Sequence, residues 1–144
     1  MGPPQFLSRR PTRGGGAVAS DTAGRPVWVL HEHDRPQHHF DLRLEEDGVL
    51  RSWAVPRGLP THHRHDRLAV PVDDHELEHA TYEDVDKRIA DTGWWELEDR
   101  NDRRSVFVLH GREGSRRYAL IDTGDDALLH LVKDQPSEAS SLGD

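Results

Sequence analysis

His38-His39-Phe40-Asp41-Leu42-Arg43-Leu44-Glu45, then Asp47-Gly48, then Val49-Leu50-Arg51-Ser52-Trp53-Ala54-Val55 is the stretch that decides the fold. Its first half alternates apolar and polar with period two, the mark of a β-strand with one face buried. Phe40, Leu42 and Leu44 share one face, and His39, Asp41 and Arg43 share the other. Asp-Gly between two such runs is a strong hairpin signal, so Val49–Val55 is expected to return antiparallel. An imidazole, a carboxylate and a guanidinium in one row could hold a divalent metal and an anion side by side. His33, six residues before His39, could add a second imidazole if the chain folds back across Asp34-Arg35-Pro36.

Working outward, Val27-Trp28-Val29-Leu30 reads as an earlier strand leading into His31 and His33. Pro56, Gly58 and Pro60 end the hairpin in a loop running through His62-His63-Arg64-His65. Leu68–Val72 is a further strand, with Pro71 arguing for an edge position or a bulge. Trp94–Leu97, Ser105–His110, Tyr118–Ile121 and Ala127–Val132 supply the rest, separated by turns at Asn101-Asp102 and Thr123–Asp126. Residues 73–102 hold 12 acidic against 3 basic side chains, expected to be mostly a solvated face, and only Tyr82–Asp91 could contain a helical turn. The expectation is an all-β protein: a compact, mostly antiparallel β-barrel of about seven to eight strands with little helix. Three regions are expected, a flexible basic arm at 1–25, the barrel domain at 26–134 and a disordered tail at 135–144.

Composition narrows the chemistry. The 144 residues contain 11 His, 4 Trp and no Cys, which excludes disulfides, thiolate metal sites and a cysteine nucleophile. Neither a membrane-spanning apolar run of about 20 residues nor a signal-peptide core occurs, so a cytoplasmic protein without a membrane partner is expected. The formal charge of −8 argues against a bulk electrostatic nucleic-acid binder. Yet Val49–Val70 carries Arg51, Arg57, Arg64 and Arg67 against Asp66 alone. A local basic patch on an acidic protein fits a small anionic site.

The leading constellation is His33, His39, Asp41, Arg43 and His75, with Arg57 and Arg67 close in sequence. Two imidazoles and a carboxylate suit Mn²⁺, Zn²⁺ or Fe²⁺ with coordination positions left open. Arginine beside such a metal suits a phosphate, because its fork binds two oxygens at once. A further histidine within reach could donate a proton to a leaving oxygen. The same residues also admit a solvated strand face, or a facial-triad Fe²⁺ oxygenase built from His39, Asp41 and His75. His62, His63 and His65 read as surface histidines, and Trp53, Trp94 and Trp95 as core or rim.

These motifs resemble a known family. His33-x5-His39-Phe40-Asp41-Leu42-Arg43-Leu44-Glu45, Asp47-Gly48, Ser52–Gly58, Arg67–Val70 and Asp74-His75 are similar, in order and spacing, to the 3′-phosphoesterase module of bacterial ATP-dependent DNA ligase D. The resemblance covers about residues 27–132 and is to the stand-alone form. It implies a β-barrel that uses Mn²⁺ to remove a 3′-terminal ribonucleotide and then the 3′-phosphate from DNA ends in repair. By position, His33, His39 and Asp41 would be the metal ligands, and Arg43, Arg57 and Arg67 would contact the phosphate. His75 would contact the phosphate or act as general acid. His79 stands where the family usually has a functional Tyr; its imidazole would replace the phenol as a donor or recruit a metal. The family's Gly- and Glu-rich loop is replaced by Asp86-Lys87-Arg88-Ile89-Ala90-Asp91-Thr92-Gly93. The implied partners are DNA or RNA-tailed DNA 3′ ends, with a separate ligase, polymerase or Ku protein downstream of a monomer. A module of the same fold that binds ends with a weakened site is the alternative.

Overall fold

A computed structural model describes residues 24–136. Eight strands close into an antiparallel barrel: β1 (Val27–His33), β2 (His39–Glu46), β3 (Val49–Val55), β4 (Arg67–His75), β5 (Lys87–Arg100), β6 (Arg104–Gly111), β7 (Gly114–Asp122) and β8 (Ala127–Leu131). Their order around the barrel is β1-β2-β3-β4-β8-β7-β6-β5. The expected β-barrel is therefore the fold. Most of the 1–25 arm and of the 135–144 tail lies outside the described residues. Within them, Arg25 stacks 4.0 Å from the centroid of Trp94, and the Gln135 side chain bonds to the Arg117 backbone.

The hairpin forms as its residues dictate. Asp47 and Gly48 take φ of 56° and 85°, the left-handed pair of a two-residue turn whose twist matches the flanking strands. That turn sets the register Leu42↔Trp53, Arg43↔Ser52 and Asp41↔Ala54. Trp28, Leu30, Leu42, Leu44, Trp53 and Val55 point inward and join Trp95, Phe107, Leu109, Tyr118 and Leu129 in one core. Burying each such side chain contributes about 1.5–3 kcal/mol. The indole N–H groups of Trp28 and Trp95 donate to the carbonyls of His110 and Glu45, so neither is left unpaired inside.

Pro71 sits in β4 without disrupting it. The pairing of β4 with β8 spans only Arg67–Ala69, while β3 continues alongside as far as His75. The missing N–H of Pro71 therefore falls beyond the last β8 partner.

Two expectations for residues 73–102 are corrected. The helical turn lies at Leu77–Thr81, as a 3₁₀ turn, and not within Tyr82–Asp91. Lys87–Gly93 is not a loop: it begins a 14-residue strand that includes Trp94–Leu97. The polar side chains of this stretch lie on a strand that pairs with β1 on one edge and β6 on the other, so backbone pairing overrides the acidic composition. The 3₁₀ turn packs Ala80 and Leu77 onto the outer side of the barrel, against Val27, Val29, Leu50 and Ile89. Among the described residues no helix is long and apolar enough to cross a membrane.

Candidate active site

The inward residues of β1 alternate with Val27, Val29, His31 and His33, which face outward. Register pairs His31 with Asp41 and His33 with His39. The outer rows of β1 and β2 thus become one polar surface, continued by Ser52 on β3, His75 at the end of β4 and Lys87 at the start of β5. The expectation of a strand with one solvated face is corrected here. Asp41 is 6% exposed and Arg43 2%.

His33, His39 and Asp41 come together. One donor atom from each lies within 4.8 Å of the others. His39 Nε2 is 3.2 Å and His33 Nδ1 3.6 Å from the same carboxylate oxygen, Asp41 Oδ2. His39 Nδ1 sits 2.8 Å from the Gln37 carbonyl, which can only accept, so this nitrogen carries the proton. In the neutral ring Nε2 then turns its lone pair toward a carboxylate, and two acceptors so placed call for a shared cation. A carbonyl that fixes the tautomer in this way is the usual support of a ligating histidine. The donor set fits a divalent transition metal. His75, proposed as a third member of an oxygenase set, is not part of this trio.

Arg43 is locked behind the trio. Its Nη2 pairs with Asp41 Oδ2 at 3.4 Å, its Nη1 donates to Ser52 Oγ at 3.0 Å and its Nε donates to His31 Nδ1 at 3.2 Å. His31 is fully buried, and its Nε2–H donates to the Tyr82 carbonyl at 2.9 Å. Both of its nitrogens are thereby committed as a neutral ring. Burial, opposed by the Tyr82 carbonyl and aided by Arg43, pushes the His31 imidazole down to about 4. Two of the five guanidinium N–H bonds of Arg43 are hydrogen-bonded within the protein and Nη2 forms an ion pair; the remaining N–H bonds can serve a ligand.

A stack of rings closes the other side. His79 lies 4.3 Å from His75 and 4.8 Å from Tyr82, nearly parallel to both, and meets His31 edge-on at 5.2 Å. Its Nε2 is 3.0 Å from Lys87 Nζ. An ammonium has no lone pair, so Nε2 accepts and Nδ1 carries the proton. Burial, with Lys87 and Arg43 adding positive charge, pushes His79 down to about 3. Burial and then Arg43 hold His75 below its ordinary value, and burial and then Lys87 do the same for His33.

Arg57 and Arg67 are placed differently. The Nη1 of Arg67 donates to the Arg57 carbonyl and, at 3.5 Å, to that of Gly58. It braces the 56–60 loop, and Arg67 shares the strand face of buried Ala69, opposite to that of Val70, which pairs with Ala54. The Arg57 side chain is exposed at the same end of the barrel as the trio. His62 stacks on His63 at 4.7 Å within the exposed loop that follows. Two members of the site escape sequence reasoning: His31, embedded in an apolar run, and Lys87, in an acidic stretch. For Lys87 the only signal would have been its register opposite His33.

The fold and site define a small closed barrel with a two-histidine, one-carboxylate trio beside a buried arginine. A model of the DNA Ligase D 3′-phosphoesterase domain family matches residues 31–122, and the chain belongs to that family. It is 39% identical over 126 residues to the multifunctional non-homologous end joining protein LigD of Mycobacterium bovis, covering 78% of this chain and 17% of that protein. Against the protein of the same name from Mycolicibacterium smegmatis it is 36% identical over 135 residues, 79% of this chain and 18% of the relative. Against that of Pseudomonas aeruginosa it is 35% identical over 149 residues, 92% of this chain and 18% of the relative. The chain thus spans less than a fifth of the length of these relatives.

Proposed function

We propose that this chain is a divalent-metal-dependent phosphoesterase that heals DNA 3′ ends in repair, removing a 3′-terminal ribonucleotide and then the 3′-phosphate. The observation that carries this reading is the sharing of Asp41 Oδ2 between the two histidine ligand nitrogens and the Arg43 guanidinium. This supports a metal held by the trio beside an anion held by the guanidinium. The family membership supports the same substrate class.

His33, His39 and Asp41 would hold the ion, with Mn²⁺ favoured by the resemblance and other divalent transition metals admitted by the donor set. When bound, the ion supplies Lewis-acid withdrawal of charge from the phosphoryl group. Arg43, prevented from turning by Ser52 and His31, directs its remaining N–H bonds at a phosphate oxygen and resists reorganisation as charge grows there. Arg57, on the loop that Arg67 braces, meets the phosphate from the barrel end. Burial and Arg43 favour the neutral form of His75, and an arriving phosphate restores its basicity by adding negative charge beside it. It then holds a proton near the leaving oxygen. A separate ligase, polymerase or Ku protein would act on the resulting 3′-hydroxyl.

A second reading, a module that binds 3′-phosphate ends without turnover, is favoured by one observation: the Nε2 of His79 is already engaged by Lys87. Gel analysis of 5′-labelled primers ending in one ribonucleotide or a 3′-phosphate separates the two. The proposal expects conversion to a 3′-hydroxyl with Mn²⁺ and none with chelator. Tight binding without conversion would establish the second reading.

A further inference from the structure

Lys87 lies directly opposite His33 in the antiparallel pairing of β5 with β1, so its side chain leaves the sheet on the same face as the trio. It is 8% exposed. Its ammonium offers three N–H bonds and can accept none. One goes to His79 Nε2 at 3.0 Å, and the centroid of the Tyr82 ring lies 5.6 Å away. Among the described residues no carboxylate forms an ion pair with it, whereas Asp41, the buried carboxylate nearby, is paired with Arg43. A buried cation with a single bond to a neutral ring is expensive, and such groups are ordinarily paired.

The surroundings deepen the deficit. Arg43 and Lys87 share one buried carboxylate, Asp41, and the other carboxylate near Lys87, exposed Asp84, accepts from the Tyr82 hydroxyl and the Asp86 N–H and forms no ion pair with the ammonium. Burial and then Arg43 hold the Lys87 ammonium below its ordinary value. His75 and His79 are displaced in the same sense. In all three burial is the largest cause, and neighbouring cations add to it.

We infer that Lys87, steadied by its bond to His79, is a ligand of the substrate's phosphate. This rests on reading the site as a phosphate site, and it adds a residue that neither the motif nor the phosphate-contacting arginines include. Nζ has two further N–H bonds besides the one to His79, and in this reading they and Arg43 hold one phosphoryl group between β5 and β2. The ring stack of His75, His79 and Tyr82 fixes the reach of the lysine.

The test measures binding in Mn²⁺ of a primer–template ending in a non-hydrolysable 3′-phosphonate against the same duplex ending in a 3′-hydroxyl. Wild type should prefer the phosphonate. Lys87→Met should lose roughly tenfold to a hundredfold of that preference, the worth of one hydrogen bond to a charged group. Its affinity for the 3′-hydroxyl end should hold, and its Tm should stay level or rise, because an uncompensated cation has been removed. Unchanged preference would overturn the inference, as would loss of preference together with a lower Tm, which would make Lys87 structural. Because binding is read without turnover, failure of the proposed hydrolysis would leave this result standing. A wild type indifferent to the two ends would instead overturn the phosphate reading and this inference together.

Discussion

Arg43 Nε donates to His31 Nδ1 at 3.2 Å, and each side chain is nearly or fully enclosed. The bond makes His31 the strut between the Arg43 guanidinium and the Tyr82 carbonyl, and so between β2 and the segment that follows the 3₁₀ turn.

His31→Phe keeps an aromatic ring and removes both bonds. It strands a buried guanidinium N–H and a carbonyl, and stability should fall by about 2–4 kcal/mol in urea unfolding. The Mn²⁺ affinity, read by thermal shift, should change little while kcat/KM falls at least tenfold. Stability within about 0.5 kcal/mol of wild type would show that the strut does not bear on the fold.

Arg43→Lys preserves the charge but cannot reach Ser52, His31 and Asp41 together and lacks the rigid fork. Turnover of a 3′-phosphate primer should drop roughly a hundredfold or more, the usual scale for removing an oriented donor from a growing oxyanion. A loss of threefold or less would reduce Arg43 to a point charge.

Acid should weaken the fold in a defined window. His31 and His79 have folded values of about 4 and about 3 against an ordinary 6.5. Below pH 6.5 the unfolded chain therefore binds protons that the folded chain does not, and unfolding free energy rises with pH. The contribution is full above pH 6.5 and disappears as pH falls through the folded values. Between pH 6.5 and 5, where ordinary carboxylates barely titrate, His31 alone accounts for up to about 2 kcal/mol. Half-exposed His79 adds less because solvent screens it. Urea midpoints of metal-free protein should fall across that window; a flat profile would contradict the buried neutral ring of His31.

Mn²⁺ should raise the Tm of the wild-type chain, since a ligand at a hundred times its Kd adds about 2.7 kcal/mol to the folded state. His33→Ala should abolish most of this increment without lowering the metal-free Tm by more than a few degrees, because His33 is at the rim. An undiminished increment in the variant would move the metal elsewhere.

Much of this was legible from local pattern. The alternation around Leu42 and the Asp47-Gly48 turn dictate the hairpin, and the spacing of His33, His39 and Asp41 follows from antiparallel pairing of β1 with β2. The rest depends on distant parts of the chain. Lys87 reaches His79 because β5 pairs with β1, and no periodicity in an acidic stretch announces that pairing. Arg43 is enclosed with partners from three strands, His31, Asp41 and Ser52, a set invisible in a strand that alternates as though one face were wet. His31 looks like the end of an apolar run until the Tyr82 carbonyl arrives beside it.

The central claim is that the trio sharing Asp41 Oδ2 makes the reaction possible. Wild type, His39→Ala and Asp41→Ala should be compared on a 5′-labelled primer–template ending in a 3′-phosphate, with Mn²⁺ in excess. The account predicts a 3′-hydroxyl product from wild type and none above background from either variant. Undiminished product from either variant would contradict it.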